Sequence, residues 1–216
     1  MRITGEGWFE DCPVSVFEHM PGGTLRRWLS THGNIPGSGV LSVARQVARA
    51  LDFAHTRGVV HSDVQPGNVW LDASPEGRAA LAEFGVTDVQ WEVADLEFPL
   101  PEGGFSYRAP ETFQNAGASD APADTYSFSV MLYELISGRT PLEVCGLKVL
   151  LTQDAPDIRT QRKDVPASVA LRLAQALSRD PALRPQTAAA VLAGVEEEIA
   201  KLGPAPAVTA SQRGSG

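Results

Sequence analysis

Cysteine is nearly absent from this 216-residue sequence, which contains only Cys12 and Cys145. Two cysteines so far apart exclude a disulfide framework and a thiolate metal site, and they predict a reduced, cytoplasmic chain. No apolar run approaches the roughly 18 residues that a membrane span requires, and the first residues lack the basic and apolar pattern of an export signal. We therefore expect neither a membrane span nor secretion.

Basic residues are also too few and too dispersed to form a patch. The chain has 18 lysines and arginines against 26 acidic residues, a formal net charge of -8 and a pI near 5.0. This balance argues against nucleic acid or an anionic membrane as the main partner. The length and the 43% hydrophobic content are sufficient for one compact domain with a single core.

Short β-type segments come first along the chain, and helical periods follow. Gly5 and Gly7 indicate a turn at a strand end. Strands are predicted at 14–17 and 79–81, helices at 24–29, 40–54, 124–137, 166–177 and 187–202, a long loop at 85–117, and a disordered tail at 203–216 that is rich in Pro, Ala, Ser and Gly. The predicted fold class is α+β and mainly helical.

Asp63 and Asn68 lie in one polar stretch, HSDVQPGN at positions 61–68. An Asp and an Asn in a loop are more often turn formers than catalysts, so this pair alone would decide nothing. Their spacing, however, is similar to the kinase catalytic-loop pattern H-R-D-x-x-x-x-N. The resemblance implies that Asp63 orients the substrate hydroxyl, that Gln65 lies beside the transferred phosphate, and that Asn68 binds magnesium.

Further motifs follow in the order found in kinases: EFG at 83–85 in place of D-F-G, APE at 109–111, Asp124 at the start of an apolar helix, and RDPALRP at 179–185. The chain thus resembles the C-terminal, mainly helical lobe of a serine/threonine protein kinase. The resemblance implies structural roles for His61, Phe84, Glu111, Asp124 and Arg184, including an ion pair between Glu111 and Arg184.

The segment FEHMPGG at 17–23 resembles the hinge between the kinase lobes. By this resemblance, backbone groups near Glu18 and Met20 contact adenine, while Trp70 either occludes the nucleotide or stacks under it. ATP and Mg²⁺ are the implied cofactors, with magnesium at Asn68 and Glu83, and the implied partner is a protein or protein substrate. The expected boundaries are 1–23 for the hinge and last N-lobe strands, 24–202 for the C-lobe and 203–216 for the tail, with the N-lobe largely absent.

The sequence departs from the kinase pattern at positions whose charged or polar side chains bind the phosphates or the metal ion in kinases. The first lysine of the chain is Lys148, so residues 1–23 supply no phosphate-pairing lysine. Ser62 stands in place of the catalytic-loop arginine, Gln65 in place of a lysine, and Gly104 in place of a threonine, while Glu83 replaces the metal-binding aspartate. These changes predict weak nucleotide binding and impaired transfer.

Two hypotheses of different classes follow from this combination. One is a pseudokinase-like binding or regulatory module. The other is a truncated serine/threonine kinase that transfers the ATP γ-phosphate to protein Ser or Thr, which the retention of Asp63, Asn68, Glu111 and Asp124 favours. A decaying gene product with no function is a third, weaker reading.

Overall fold

The computed structural model describes residues 2–10, 12–84, 104–113 and 119–206. Its strands are β1 (Ile3–Phe9), β2 (Cys12–Phe17), β3 (Gly23–Thr24), β4 (Val69–Leu71) and β5 (Ala79–Leu81). Its α-helices are α1 (Leu25–His32), α2 (Gly37–His55), α3 (Ala121–Ser137), α4 (Pro141–Cys145), α5 (Leu147–Thr152), α6 (Ala167–Ala176), α7 (Ala188–Leu192) and α8 (Glu196–Lys201). Short 3-10 turns connect several of these elements.

Strands β1 and β2 form an antiparallel hairpin in which Gly5 pairs with Val16 and Gly7 with Val14. The prediction of a turn at these glycines was wrong, because both lie inside β1 and the chain reverses after Phe9. Most hairpin side chains are exposed. These strands precede the hinge, so the expectation that the N-lobe is largely absent stays a prediction.

A second sheet has the strand order β3-β4-β5, and its first strand begins at the end of the predicted hinge segment, 17–23. Glycine is required at position 22, because a Cβ there would lie 2.7 Å from the carbonyl oxygen of Leu71. The Gly22 amide instead donates to that oxygen at 3.0 Å. The backbone at Gly22 is therefore held against the end of β4.

The core lies mainly between α2 and α3. Apolar residues of α2 at three- and four-residue steps, including Val40, Val47 and Leu51, are buried as their period predicts. Helix α3 is buried on nearly all sides. It begins at the side-chain cap of Asp120 and ends at Gly138, whose φ of 84° is the left-handed value that glycine adopts readily.

The helix predicted at 187–202 is interrupted in the structure. It divides into α7 and α8, and Gly194 between them has a φ of 80°. A left-handed residue cannot continue an α-helix, so the apolar period on both sides of Gly194 gave a prediction that was too long. Residues between Pro141 and Thr152 also form two short helices that the sequence analysis did not predict.

Residues 203–206 are packed against the body, and the prediction of a disordered tail was wrong for them. Ala205 is buried, and its carbonyl oxygen accepts a hydrogen bond from the Asn34 side chain at 3.0 Å. The buried Arg162 guanidinium donates to the Gly203 carbonyl oxygen at 3.0 Å and to that of Ile136, near the end of α3, at 2.9 Å. The rest of the predicted tail, 207–216, lies outside the described residues.

None of the helices among the described residues is both long and apolar enough to cross a membrane.

Replacing Arg162 with alanine is expected to destabilise the fold by about 2–4 kcal/mol, because the buried Ile136 carbonyl and the partly buried contact to the Gly203 carbonyl would lose a charged donor. The matched control is Arg159→Ala, whose side chain is half-exposed and pairs with Asp157; it should leave stability unchanged within error. Urea unfolding followed by circular dichroism measures both. Equal losses of stability for the two variants would contradict the conclusion that Arg162 anchors residues 203–206 to the end of α3.

Candidate active site at the 61–68 loop

The carboxylate of Asp124 fixes the backbone at the start of the 61–68 loop. This side chain is buried in the first turn of α3, and its two oxygens accept the amide protons of His61 and Ser62, each at 2.8 Å. The His55 ring contacts the same carboxylate at 2.7 Å. Ser62 has a φ of 69°, which non-glycine residues rarely adopt, so these bonds hold the loop in an otherwise unfavourable conformation.

Asp63, Gln65 and Asn68 form one hydrogen-bonded cluster within this loop. The Gln65 amide nitrogen lies 2.9 Å and 2.8 Å from the two carboxylate oxygens of Asp63. The Asn68 amide donates at 2.8 Å to one of these oxygens and to the backbone carbonyl of Asp63. The Asp63 carboxylate is thus oriented by two neutral donors.

His61 joins this loop to the segment that follows β5. Its Nδ1 accepts from the Asp63 amide at 3.2 Å, so its Nε2 carries the proton and donates to the Ala82 carbonyl at 2.9 Å. Phe84 packs on the imidazole with ring centroids 4.4 Å apart. Burial lowers the pKa of His61, although the charge of Asp124 partly opposes this effect.

Glu83 lies next to this cluster, at the edge facing solvent. The Ala82 amide donates to the Asn68 carbonyl at 2.9 Å, so Glu83 immediately follows a residue bonded to Asn68. Glu83 is exposed and has a φ of 67°. Gly85, the third residue of the EFG motif, is outside the described residues. Within the described ranges, no group of three or more His, Cys, Asp or Glu side chains could hold a metal ion.

The predicted hinge residues lie at the other end of the same sheet. The Glu18 carboxylate is hydrogen-bonded to Arg78 and to the Arg2 amide, and these bonds, that to Arg78 first, lower its pKa to about 2. Met20 is buried, and its carbonyl oxygen accepts from the Gly23 amide at 3.1 Å. Trp70 occupies the centre of β4, one strand away from the hinge.

Glu111 and Arg184 form the ion pair expected from the sequence. The two guanidinium nitrogens lie 2.6 Å and 2.7 Å from the two carboxylate oxygens, and the Arg184 side chain is fully buried. The guanidinium also donates to the carbonyls of Ser178 and Pro122. Because Glu111 closes the APE motif, this bidentate pair ties the segment at 110–113 to the C-terminal helices.

Sequence reasoning missed two sets of polar contacts near the 61–68 loop and α3. The sequence analysis assigns no role to His55, yet this residue ends α2 and its ring contacts the Asp124 carboxylate. Arg26, Tyr107 and Glu134 form a second network that joins α1, the 104–107 turn and α3. Burial, and then the nearby Glu134 charge, raise the pKa of Tyr107. Single polar residues far apart in sequence carry no periodic signal, so only the fold brings them together.

Comparison with known proteins agrees with this geometry. The model of the protein kinase domain family matches residues 10–193. Serine/threonine-protein kinase PknL of Mycobacterium tuberculosis is 33% identical over 195 residues, which cover 87% of this chain and 48% of PknL. A probable serine/threonine-protein kinase of Clostridium acetobutylicum, CA_C1728, is 28% identical over 82% of this chain and 27% of its own length.

Among solved structures, Rad53 in complex with AMP-PNP superposes with a TM-score of 0.70 and 22% identity, covering 92% of this chain and 50% of the Rad53 chain. This likeness concerns the fold alone. The chain spans half or less of the length of these relatives.

The neutral His61 predicts that stability falls in mild acid. An unfolded histidine binds a proton near pH 6.5, whereas folded His61, with its lowered pKa, binds it only at lower pH. The free energy of unfolding should therefore decrease as the pH drops below about 6.5, by up to about 1.4 kcal/mol per unit. Urea midpoints between pH 7.5 and 5.5 measure this dependence.

The variant His61→Gln should show a shallower pH dependence over this range, whatever its absolute stability. Above pH 7.5 the two proteins should have parallel stability profiles, which serves as the internal control. Parallel stability profiles throughout the acidic range would instead show that His61 does not contribute to the pH dependence of stability.

Proposed function

This chain belongs to the protein kinase family, and we propose that it acts as a kinase-fold binding or regulatory module in which phosphoryl transfer is impaired. One observation carries the proposal. At the position where the resemblance places a lysine, the Gln65 amide donates to both carboxylate oxygens of Asp63. Asp63 therefore has a neutral partner in place of a cation.

A preorganised charge at the reacting centre is worth a large factor in rate, because phosphoryl transfer depends on electrostatic stabilisation and positioning. Removing one such group typically costs about 100- to 1,000-fold. Glu83 adds a second loss, since its extra methylene displaces the carboxylate by about 1 Å relative to an aspartate. Both rate losses concern the same transferred phosphoryl group, so their factors need not multiply.

The side-chain contacts described for Asp63 place no cation beside a bound triphosphate. Asp63 and Glu83 present negative charge, Gln65 and Asn68 present amides, and the first lysine of the chain, Lys148, lies on α5. Carboxylate and amide oxygens are ligands that Mg²⁺ accepts, but the two carboxylates would repel a polyphosphate that carried no metal ion. We therefore assign no reaction step through ATP or magnesium.

A second candidate, a serine/threonine kinase activity, is favoured by a different observation. The loop backbone bound to Asp124 and the amide of Asn68 hold Asp63 in a single orientation. In that function Asp63 would orient the substrate hydroxyl, and a protein would be the substrate. The proposal and this alternative differ in one measurable property, transfer of phosphate that depends on Asp63.

Transfer of radiolabelled phosphate from ATP with Mg²⁺ or Mn²⁺ to a generic basic protein distinguishes the two. We expect the wild-type rate to equal that of Asp63→Ala, because the neutral Gln65 amide stands where the resemblance places a charge-stabilising lysine. Asp72→Ala, at an exposed turn between β4 and β5, is the matched control and should give the same background. A wild-type rate about tenfold or more above Asp63→Ala, with Asp72→Ala as active as wild type, would establish the kinase alternative.

A further inference from the structure

An exposed row of basic and aromatic side chains runs along α2 and shares no residue with the 61–68 loop. Its members lie four residues apart, and all are exposed: Arg45, Arg49, Phe53 and Arg57. Side chains at this spacing form one of the ridges on which a second helix packs. From Arg45 to Phe53 the row extends about 12 Å, and Arg57 follows just beyond the end of α2. These four residues are named the arginine ridge.

Phe53 is the apolar member of the ridge. It is 61% exposed, although Leu51 and Ala54 beside it are buried. The Arg57 guanidinium carbon lies 3.5 Å from the centroid of its ring, and the same group donates to the Phe53 carbonyl at 3.2 Å. Aromatic side chains and arginine are enriched in protein interfaces, whereas lysine and glutamate are depleted. The composition of the ridge is therefore typical of an interface.

A groove of about 480 Å³ lies beside the N-terminal half of the ridge, between α2 and α8. This is room for several side chains of a partner rather than for a single ion. The neutral side chains in the groove are already used, since Ser42 and Gln46 bond backbone groups of residues 76–79. The open hydrogen-bonding capacity of the groove belongs to Arg45 and Arg49, which also line it.

One carboxylate serves both of these guanidinium groups. Glu196 on α8 pairs with Arg45 at 2.6 Å, and both side chains are more than a third exposed. The hydrogen bond from Arg45 lowers the pKa of Glu196, and the nearby charges of Arg45 and Arg49 lower it further. The side chain of Arg49 forms no hydrogen bond or ion pair with the part of the chain that the structure describes. The groove therefore carries excess positive charge, and its exposed ion pair contributes little stability that a partner would have to replace.

The other carboxylates near α2 do not neutralise the ridge. Asp52 is used at the start of α7, where it accepts the amides of Ala188 and Ala189 at 2.8 Å and 3.1 Å. The Glu76 carboxylate lies beside Gly39, in the first turn of α2. The surface of α2 is thus acidic near its N-terminus and basic towards its C-terminus.

We propose that the arginine ridge docks an acidic amphipathic helix of a partner protein, whose carboxylates meet the three arginines and whose apolar side chains cover Phe53. Charge complementarity identifies this partner. The net charge of -8 disfavours a long polyanion such as nucleic acid, whereas a short acidic segment interacts mainly with charges within a Debye length, roughly 8 Å. The surface gives the proposed binding module a partner class, so the inference rests on the proposed function.

Fluorescence anisotropy of labelled synthetic peptides tests this surface. The acidic peptide has leucine at three- and four-residue steps and glutamate elsewhere, over about four helical turns. A second peptide has lysine in place of glutamate, and a third is the acidic peptide scrambled to remove the apolar period. We expect a dissociation constant of about 10–100 µM for the acidic peptide and at least about tenfold weaker binding of the other two.

Two results with these peptides would overturn the inference. One is no saturable binding of the acidic peptide up to about 1 mM. The other is equal affinity for the acidic peptide and either comparison peptide. A single-stranded oligothymidylate of matched charge tests nucleic acid as the partner, and we expect it to bind about tenfold more weakly than the acidic peptide. Binding of the oligothymidylate as tight as that of the peptide, or tighter, would assign the ridge to nucleic acid instead.

Arg49→Glu tests the charge of the ridge. It should weaken binding of the acidic peptide more than about tenfold, and it should bind the lysine peptide more tightly than the wild type does. The matched control is Arg27→Glu, the same charge change at an exposed position of α1, which should leave the affinity within about twofold. Equal losses of affinity in the two variants would show that only net charge matters and would defeat the inference.

Phe53→Ala tests the apolar contact while it keeps all three arginines. It should weaken the acidic peptide about tenfold, the order expected for an aromatic side chain at an interface centre. Leu171→Ala is the matched control, because Leu171 on α6 is 73% exposed. Urea midpoints close to that of the wild type check that all four variants are folded. An unchanged affinity in Phe53→Ala would contradict docking on this ridge.

Peptide binding and phosphotransfer can fail separately. Absence of docking would defeat only this inference, because the ridge and the candidate site share no residue. Asp63-dependent transfer would defeat the proposed function, whatever the peptide affinities are.

Discussion

The buried carboxylate of Asp124 holds the loop on which the candidate site is built. It accepts two consecutive backbone amides, from His61 and Ser62, and contacts the His55 ring. A buried carboxylate without partners would be strongly destabilising, whereas this one is paired by three groups and lies in the first turn of α3, where the helix dipole favours negative charge. The two amide bonds also maintain the left-handed backbone of Ser62.

From this anchor, a chain of contacts extends to each neighbouring segment. His61 reaches Ala82 and Phe84, and Asn68 bonds both Asp63 and the Ala82 backbone. The Glu111–Arg184 pair fixes the 110–113 turn independently. These contacts use backbone groups, a neutral imidazole and one bidentate ion pair. None of them requires the lysine whose position Gln65 occupies, so the scaffold and the charges needed for transfer are separable.

Sequence reasoning predicted the parts of the fold that are indicated by a local apolar period or by the order of motifs along the chain. The apolar periods of α2 and α3, and the Glu111–Arg184 pair implied by the motif order, agree with the structure. It failed at β1, where two glycines resemble a turn but lie opposite valines in a strand. The helix break at Gly194 was missed because the apolar period continues across it, and the 203–206 contacts were missed because they depend on tertiary packing that a single sequence does not encode locally.

The cluster at Asp63 could be predicted as a set of residues but not as a set of bonds. The motif spacing indicated that Asp63 and Asn68 share a loop, yet the partner of the Asp63 carboxylate depends on rotamers that only the folded loop fixes. The same limit applies to Trp70, for which the sequence left stacking and occlusion equally open. Among the residues that the structure describes, its indole N–H has no acceptor, which is a property of the packed sheet that the sequence does not indicate.

Retention of the catalytic-loop aspartate is weak evidence for catalysis in this chain. The Asp63 carboxylate accepts hydrogen bonds from Gln65 and Asn68, and the Asn68 amide also bonds the Asp63 backbone, so the aspartate helps to close its own loop. Removing its carboxylate would leave the Gln65 amide without its acceptor and Asn68 with only the Asp63 carbonyl, which is a structural cost independent of any reaction. Selection for the fold alone can therefore keep Asp63. A shared kinase fold and an intact aspartate are thus compatible with the absence of phosphoryl transfer.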